Sequence, residues 1–407
     1  MINVIGLGYI GLPTALMFAT HGCAVVGTDY NPQLVATLNA GHATFEEKGL
    51  DELFQNALNA GIRFSSEYQK TDFYIIAVPT PDDKDSKKID PSYVIGALKN
   101  VMEVCPKGAT VVIESTISPG TIDKFVRPVV TAAGFIIGED IHLVHAPERI
   151  IPGNMVYELE HNSRTIGADA PEIGEKVKAA YASFCKGEIV VTDIRTAEMT
   201  KVVENTFRDI NIAFANELAK ICRSDNMDVY EIIRIANKHP RVNILSPGPG
   251  VGGHCISVDP WFLVGDYPQL AKMIQCARTT NDGMPDFVLE RVRDVMKEEE
   301  ITDLTRVGFY GLTYKENVDD VRESPTLQLL DSMERHLAGN LVKVYDPWVK
   351  KDLVANQYHD FDAFLADVDM VVIMVGHSQI RENMEKLEGK VVLDTRYCCS
   401  LPGTHRL

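Results

Sequence analysis

The first eleven residues constrain the fold more than any other stretch of the chain. A short apolar run, 2–6, leads into Gly6-Leu7-Gly8-Tyr9-Ile10-Gly11, which is followed by a helix-like segment and a second apolar run that ends at Asp29. This order of strand, glycine turn, helix and strand is typical of the βαβ unit that binds dinucleotides. The sequence therefore predicts an N-terminal Rossmann-like domain built on a parallel sheet.

Each glycine of this turn has a separate purpose. Gly6 permits the tight turn, Gly8 lets the backbone meet a pyrophosphate, and Gly11 lets the helix pack against the strand. The helix N-terminus holds the phosphates. Asp29 follows the last glycine by 18 residues and would accept hydrogen bonds from ribose hydroxyls while repelling a 2′-phosphate, so we expect NAD rather than NADP.

Three further strand-like runs end in polar turn sequences. These runs are 73–78, 110–114 and 141–145, and they end in VPTP, ESTISPGT and HAPER. Ligands of open α/β sheets collect at the carboxyl ends of strands, which makes the polar residues there site candidates. A turn or helix cap is the alternative role for each residue alone. The candidates are Thr80, Ser115, Thr116 and Glu148.

The longest helical pattern covers 196–223 and carries an apolar stripe with steps of three or four residues. Such a length predicts a spine between domains and a dimer surface. Lys201, Asn205 and Arg208 share another face, for which ordinary solvation is the alternative interpretation. A second helix is expected over 229–238.

The stretch 247–259 places Cys255 and Asp259 in a loop rich in glycine and proline. Glycine lets a backbone approach a ligand closely, so the loop suits a nucleophile, although a buried structural thiol is the alternative. A thiolate beside NAD can carry an aldehyde to a thioester, which water cleaves to an acid. The combination predicts oxidation of a primary alcohol to a carboxylate, with Lys201 and Asn205 stabilising the oxyanions.

The last part of the chain contains four strand-like runs, 306–312, 341–347, 369–376 and 390–396, separated by helix-like segments. It has no second glycine fingerprint. We therefore predict an α/β protein with two Rossmann-like, doubly wound parallel-sheet domains joined by a central helical domain with a long spine helix.

Charge and cysteine usage exclude several classes of function. A net charge of −17 argues against a nucleic-acid binder, and no apolar run is long enough to cross a bilayer. The N-terminus lacks the basic region of a signal peptide. The eight cysteines show neither a CxxC pair nor zinc-type spacing, which predicts reduced thiols, no metal site and a cytoplasmic protein.

The glycine fingerprint, VPTP, STISPGT, HAPER, KVVENTFRDIN, PGPGVGGHCISVDP and GLTYKENVDDVRESP occur in this order, and together they resemble the UDP-glucose/GDP-mannose dehydrogenase family. The resemblance covers nearly the whole chain. It implies an NAD-binding domain over 1–193, a helical dimerisation domain over 194–300 and a UDP-sugar-binding domain over 301–407. It also implies a homodimer formed through the long helix and a four-electron oxidation at C6 of a nucleotide sugar.

The resemblance assigns roles to the motif residues. Cys255 is the implied nucleophile, Lys201 and Asn205 the oxyanion and proton-transfer pair, and Asp259 with Thr116 the residues that order the hydrolytic water. Glu148 lies beside the reacting centre, and Arg241 reaches the substrate of a second subunit. The implied NAD contacts are Gly6, Gly8, Tyr9, Ile10, Gly11, Asp29, Pro79, Thr80, Thr116 and Arg322. The implied substrate contacts are Glu148, Arg149, Lys201, Asn205, Arg208, Arg241, Gly252 and Lys315.

The segments 205–218, 239–244 and 258–262 are most similar to family members from bacteria that oxidise UDP-N-acetyl-D-mannosamine for surface polysaccharide synthesis. UDP-N-acetylglucosamine and UDP-glucose would leave every motif intact and stay open as substrates. More remote alternatives are a 3-hydroxy acid dehydrogenase that performs one oxidation and a non-catalytic NAD-binding protein. Another is a thiol hydrolase or acyl transferase, for which His254 is the only histidine near Cys255 in the sequence.

Overall fold

The computed structural model describes residues 1–253, 255–337 and 342–407. His254, the candidate base of the thiol-hydrolase alternative, and Leu341, the first residue of the strand-like run 341–347, lie outside this description. The chain divides into two compact units. The first contains residues 1–204 and 265–267, and the second contains residues 205–264 and 268–407.

The first unit is built on an eight-stranded sheet. Its strands are β1 Ile2–Ile5, β2 Val25–Thr28, β3 Arg63–Ser65, β4 Phe73–Ile76, β5 Ala109–Ile113, β6 Ile141–His145, β7 Arg164–Ala168 and β8 Ile189–Thr192. The spatial order is β3-β2-β1-β4-β5-β6-β7-β8. All neighbours are parallel except β6 and β7, so β7 and β8 form a reversed pair at one edge. The central strands β1, β4 and β5 are buried on both faces, which explains their continuous apolar runs.

Helices cover both faces of this sheet. They are α1 Gly11–Thr20, α2 Pro32–Asn39, α3 Leu50–Asn59, α4 Ser92–Val104, a π-helical turn Ile122–Val126, α5 Arg127–Ala132, α6 Met155–His161 and α7 Pro171–Tyr181. Helix α1 is apolar and almost entirely buried. Asn31 caps α2 by accepting hydrogen bonds from the backbone N–H groups of Gln33 and Leu34.

A helical stretch follows the first sheet. It contains α8 Ile194–Ser224, α9 Val229–Ala236, α10 Asp259–Asp266, α11 Lys272–Asp282 and α12 Met284–Glu298. Helix α8 has 31 residues and extends from the first unit into the second. It confirms the long helix expected over 196–223. A small apolar cluster joins α8 to α9 through residues such as Ala215, Cys222 and Ile233.

The second unit ends in a six-stranded parallel sheet in the order β11-β10-β9-β12-β13-β14. Its apolar residues alternate between two clusters, because successive strand side chains point to opposite faces. Phe309 and Val372 belong to one cluster, and Tyr310 and Val371 belong to the other. The elements are a 3₁₀ turn Leu304–Arg306, β9 Val307–Tyr310, α13 Pro325–Leu337, β10 Lys343–Tyr345, β11 Gln357–Tyr358, α14 Phe361–Ala366, β12 Met370–Ile373, α15 Ser378–Glu382, a 3₁₀ turn Met384–Leu387, β13 Val391–Asp394 and β14 His405–Arg406.

The predicted fold class is confirmed. Along the chain, one Rossmann-like region with a mainly parallel sheet precedes a helical region and a second one follows it, and each strand-like run predicted from the sequence contains most of a strand in the structure. The antiparallel contact between β6 and β7 is an addition to that expectation. Among the described residues, none of the helices has the length and apolar character needed to cross a membrane.

Candidate active site

The glycine turn after β1 has the form that the sequence predicts. Gly6 adopts φ +88°, and a Cβ atom there would lie 2.6 Å from the Ala77 carbonyl oxygen. A Cβ atom at Gly11 would overlap the Gly6 carbonyl oxygen. Gly8 is different, because a Cβ atom there would meet no atom within 4 Å in the part of the chain that the structure describes. Packing explains Gly6 and Gly11, whereas the openness above Gly8 suits a pyrophosphate that approaches the backbone.

Asp29 lies at the end of β2 and is fixed by the backbone. One carboxylate oxygen accepts a hydrogen bond from Leu7 N at 2.8 Å, and the other accepts one from Asn31 N at 2.9 Å. Each oxygen retains a lone pair for a ribose hydroxyl. Tyr9, inside the glycine turn, stacks on Phe45 with ring centroids 4.4 Å apart. Ile10 stands at the N-cap position of α1. The position of Asp29 is therefore compatible with the predicted ribose contact.

The loops after β4 and β5 are tied together. The Thr80 hydroxyl donates to the Thr116 carbonyl oxygen at 2.6 Å, and the Ser115 hydroxyl donates to Val78 O at 2.7 Å. Thr80 is buried, Thr116 is half-buried and Pro79 is exposed. The predicted candidates after these two strands therefore lie together beside the glycine turn, because β1, β4 and β5 are neighbours in the sheet.

Glu198 is a residue of this region that the sequence reading missed. It is fully buried on α8, and its carboxylate accepts hydrogen bonds from Gly120 N at 2.5 Å and Ile122 N at 2.9 Å. Ile122 is the first residue of the π-helical turn, and Gly120 lies two residues before it. Burial raises the pKa of Glu198, although the two backbone bonds oppose the shift. Its position three residues before Lys201 in the sequence could have indicated that Glu198 lies near the site.

Glu148, after β6, is buried and its carboxylate is held at both oxygens. One accepts from Arg149 N at 2.6 Å, and the other pairs with Arg164 on β7. The Arg149 guanidinium pairs with Glu204 at 2.6 Å and donates to the Thr165 hydroxyl at 2.8 Å. Arg149, predicted as a substrate contact, thus has protein partners of its own.

In the second unit, Asn205 and Asp259 meet directly. The Asn205 side-chain amide donates to an Asp259 carboxylate oxygen at 2.6 Å, and both residues are buried. Asp259 N donates to the Cys255 carbonyl oxygen at 2.8 Å, so the segment turns at Cys255 and α10 begins at Asp259. Cys255 is exposed. Lys201, four residues before Asn205 on α8, is buried and belongs to the first unit.

The glycines before Cys255 pack against the segment 314–325. A Cβ atom at Gly252 would lie 2.6 Å from both the Glu323 carbonyl oxygen and Tyr314 Cβ. Gly253 adopts φ +85° and donates its N–H to Arg322 O at 2.9 Å. The sequence reading expected these glycines to admit a ligand. Protein packing already requires both of them.

The segment with Lys315 and Arg322 is also fixed by its own hydrogen bonds. Thr313 donates its hydroxyl to the Lys315 carbonyl oxygen at 2.8 Å, and the Arg322 guanidinium pairs with Asp320 at 2.6 Å. Asn317 N donates to His377 Nδ1 at 2.9 Å. The backbone of the segment is therefore held in place, while the Lys315 side chain is half-buried.

A buried polar network links α8, α11 and the start of the cysteine loop. Arg278 pairs with Asp209 at 2.6 Å, Asn281 donates to Asp209 at 2.8 Å, and Asn216 joins Asn281 to the backbone N–H of Gly248. The sequence reading missed these residues. Two further predicted contacts, Arg208 and Arg241, are exposed.

Three family models match the chain in sequence order. They describe the UDP-glucose/GDP-mannose dehydrogenase family: its NAD binding domain over residues 1–185, its central domain over 195–283 and its UDP binding domain over 308–400.

Two curated relatives and one solved structure are similar over almost their whole length. An NDP-N-acetyl-D-galactosaminuronic acid dehydrogenase of Ralstonia nicotianae is 41% identical over 97% of this chain and 95% of its own. A UDP-N-acetyl-D-mannosamine dehydrogenase of Methanococcus vannielii is 41% identical over 97% of this chain and 92% of its own. The UDP-N-acetyl-mannosamine dehydrogenase Cap5O from Staphylococcus aureus has a TM-score of 0.89 at 42% identity, covering 100% of this chain and 97% of its own.

Proposed function

The chain belongs to the UDP-glucose/GDP-mannose dehydrogenase family, and from that membership we propose that it oxidises the C6 hydroxyl of UDP-N-acetyl-D-mannosamine to a carboxylate. It is an NAD-dependent UDP-sugar dehydrogenase. The observation that carries the proposed chemistry is the position of Asp259, which is bonded both to the backbone of Cys255 and to the side chain of Asn205.

NAD supplies the hydride acceptor for both oxidations. Gly6, Gly8, Gly11 and Asp29 would hold its adenosine and pyrophosphate, and the open backbone at Gly8 and the fixed Asp29 carboxylate support these contacts. Tyr9, Ile10, Pro79, Thr80, Thr116 and Arg322 complete the proposed contacts.

In the first oxidation, C6 loses a hydride and its hydroxyl loses a proton, which gives an aldehyde. We assign proton transfer and stabilisation of the developing oxyanion to Lys201 and Asn205. A buried ammonium and a side-chain amide are suitable donors, because an oxyanion is stabilised most by preorganised donors away from water.

In the second oxidation, the Cys255 thiolate adds to the aldehyde carbon and forms a thiohemiacetal. Loss of the second hydride from C6 leaves a thioester. Water then cleaves the carbon–sulfur bond and returns the thiolate. The whole sequence converts one alcohol, two NAD⁺ and one water into one carboxylate, two NADH and three protons.

We assign the hydrolytic water to Asp259 and Thr116, with Glu148 beside the reacting centre. Asp259 suits a general base, because its carboxylate is buried and fixed by Asn205. In the proposed complex Lys315 and Gly252 contact the nucleotide sugar, together with Arg149, Arg208 and Arg241.

The choice of sugar rests on the relatives. Both the Methanococcus vannielii relative and the Staphylococcus aureus structure are named for UDP-N-acetylmannosamine, which favours this substrate. The Ralstonia nicotianae relative, named for NDP-N-acetyl-D-galactosaminuronic acid, supports the corresponding galactose-configured sugar as a second candidate. We further propose that the uronate product serves bacterial surface polysaccharide synthesis, in the cytoplasm where NAD and UDP-sugars are supplied.

A homodimer formed through α8 is part of the proposal. The apolar stripe of this helix stays exposed in the single chain, with Phe207 at 67%, Phe214 at 49% and Ile221 at 50% exposure. A row of exposed large apolar side chains on one helix face is typical of a subunit interface. We propose the boundaries 1–193, 194–300 and 301–407 for the NAD-binding, dimerisation and UDP-sugar-binding domains.

The stoichiometry of NADH tests this function. We expect two NADH and one uronate, identified by mass spectrometry, for each limiting molecule of UDP-N-acetyl-D-mannosamine in excess NAD. One NADH per sugar would contradict the role of Cys255. Turnover with UDP-N-acetylgalactosamine alone would support the second candidate, and turnover with UDP-glucose alone would contradict both.

A further inference from the structure

A buried arginine in the first unit stands between two buried carboxylates. Arg164, near the start of β7, pairs with Glu148 through one terminal nitrogen, and its other terminal nitrogen lies 3.5 Å from a carboxylate oxygen of Glu114. Glu114 follows β5, and the same oxygen accepts a hydrogen bond from the Tyr181 hydroxyl at 3.0 Å. All four side chains are at least 95% buried. They form what we call the Arg164 cluster: Glu114, Glu148, Arg164 and Tyr181.

Aromatic rings separate the Arg164 cluster from water. The Arg164 guanidinium lies 4.5 Å from the centroid of the Tyr181 ring and 5.6 Å from that of Phe184. Phe18 of α1 packs edge-on against both rings. The charges of the cluster therefore act on one another with little screening.

The Arg164 cluster is an inefficient way to stabilise a fold. The cost of removing the ions from water offsets much of their attraction, and apolar side chains of similar volume stabilise an interior at least as well. A buried guanidinium does, however, orient a carboxylate closely, because its planar fork fixes direction as well as distance. In this cluster the oriented carboxylate is Glu148, to which the catalytic proposal assigns a place beside the reacting centre.

We propose that Arg164 is a positioning residue that orients Glu148 for the reaction, and that the charge on Glu114 sets how firmly Arg164 holds it. When Glu114 is neutral, Arg164 forms an ion pair with Glu148 alone. With Glu114 ionised, two carboxylates compete for one guanidinium. The inference rests on the role proposed above for Glu148.

Glu114 ionises in the range where this competition can be measured. Burial raises the pKa of Glu114 to about 7, and the charge of Glu148 adds to the shift, whereas Arg164 and the Tyr181 hydroxyl oppose it. Thr14 of α1, which faces Glu114, is uncharged, and Cys185 faces Arg164 after α7. Burial also raises the pKa of Tyr181, so that residue stays neutral in this range.

The test compares the pH profiles of kcat for the wild type, Glu114→Gln and Tyr181→Phe, with UDP-N-acetyl-D-mannosamine as the probe. The glutamine of Glu114→Gln is a permanent analogue of the neutral acid, so kcat of this variant and the wild type should agree at pH 6. Above pH 7 the wild type should fall below Glu114→Gln by up to about tenfold, which is the factor for one pKa unit of interaction. In Tyr181→Phe, loss of the hydroxyl bond should move this divergence to higher pH. A ratio independent of pH would overturn the proposal.

Arg164→Lys adds a test of orientation. Lysine keeps the charge but not the fork, so we expect a lower kcat with little change in KM for NAD. A fall in kcat in the same proportion as the loss of folded protein would indicate structure alone. If Arg164→Lys does not fold, the pH ratios of the two other variants still decide the matter. Glu103→Gln makes the same change as Glu114→Gln at an exposed position of α4 and is the matched control for that variant.

Two measurements separate failure of this inference from failure of the proposed function. The first is the pH dependence of Tm without substrate. The pKa of Glu114 is higher in the folded state than its ordinary 4.5, so wild-type stability should fall as pH rises from about 4.5 to 7, relative to Glu114→Gln. If the pH dependence of Tm is the same in the two proteins, the titration of Glu114 is contradicted.

The second measurement is the kcat of Glu148→Gln. An unchanged kcat would contradict the role of Glu148 itself and therefore the positioning role. If kcat falls in Glu148→Gln but the ratio of kcat between wild type and Glu114→Gln does not change with pH, only the inference is overturned.

Discussion

The Asn205 side-chain amide donates a 2.6 Å hydrogen bond to Asp259, whose own backbone N–H is bonded to the carbonyl oxygen of Cys255. This contact fixes the proposed base next to the proposed nucleophile. Asp259→Asn keeps the shape but removes the basic carboxylate, so hydrolysis of the thioester should slow by on the order of 10²-fold or more. Intact-protein mass spectrometry should show the acyl adduct accumulating after one turnover.

Asp225→Asn makes the same change at an exposed position after α8 and should leave the rate unchanged. An Asp259→Asn enzyme that releases uronate at the wild-type rate, without an adduct, would remove Asp259 from the hydrolytic step.

Cys255→Ser should separate the two oxidations. A serine hydroxyl is a much weaker nucleophile than a thiolate, so the first hydride transfer should continue slowly while the free acid does not form. The products are followed by mass spectrometry and the NADH by absorbance. Cys276→Ser, at another exposed cysteine of the same unit, is the control and should behave as the wild type. Full production of uronate by Cys255→Ser would exclude a covalent intermediate on this residue.

The glycine turn and the strand ends could be predicted because they depend on local sequence. The turn at Gly6, the close packing at Gly11 and the position of Asp29 after β2 follow from their spacing, and the structure places them as expected. Parallel strands bring their carboxyl ends to one edge, so Thr80 and Thr116 could be grouped before their hydrogen bond was seen.

Contacts between distant segments could not be predicted in the same way. Glu198 caps a turn 78 residues earlier in the chain, and Arg164 meets Glu114 across 50 residues, so neither pairing has a local signature. For the same reason the packing of Gly252 could not be predicted: its neighbours are Tyr314 and Glu323, which only the folded chain brings there.

Gly253→Ala tests the loop before Cys255. Gly253 adopts φ +85°, and a Cβ atom would lie 2.9 Å from the Tyr314 ring, so alanine should both strain the backbone and displace the loop. Gly389→Ala is a matched control, because Gly389 adopts φ +77° with no atom near its Cβ position among the described residues. Both variants should lose about 1–2 kcal/mol of stability in chemical denaturation, whereas only Gly253→Ala should also lose kcat. Equal kcat in the two variants would show that the loop is not part of the catalytic geometry.

Phe207→Asp should dissociate the proposed dimer. Phe207 is the most exposed member of the apolar stripe on α8, and burying a carboxylate in an interface is strongly unfavourable. Sedimentation velocity at micromolar concentration should show a shift from dimer to monomer. Phe125→Asp places the same charge on a phenylalanine that is 37% exposed elsewhere and should leave the dimer intact. A wild-type monomer at this concentration would contradict the interface outright.

His145, the last residue of β6, should make the protein sensitive to acid. It is fully buried, its Nδ1 atom is 2.9 Å from the Ile113 carbonyl oxygen, and its Nε2 atom has no partner within the described ranges. Burial lowers the pKa of His145 to about 4, against 6.5 when exposed. The unfolded chain therefore takes up the proton first as pH falls, and the stability that is complete above pH 6.5 is lost between pH 6.5 and about 4.

The loss of unfolding free energy attributable to His145 should reach about 3 kcal/mol near pH 4, as the difference between its folded and unfolded pKa values requires. His145→Asn retains a donor for the Ile113 carbonyl but does not titrate. The difference in unfolding free energy between wild type and His145→Asn, measured in urea from about pH 7.5 to 4.5, should therefore shrink as the pH falls. His42→Asn, at an exposed histidine, should show a constant difference from the wild type. A constant difference for His145→Asn as well would mean that His145 is not held neutral in the folded protein.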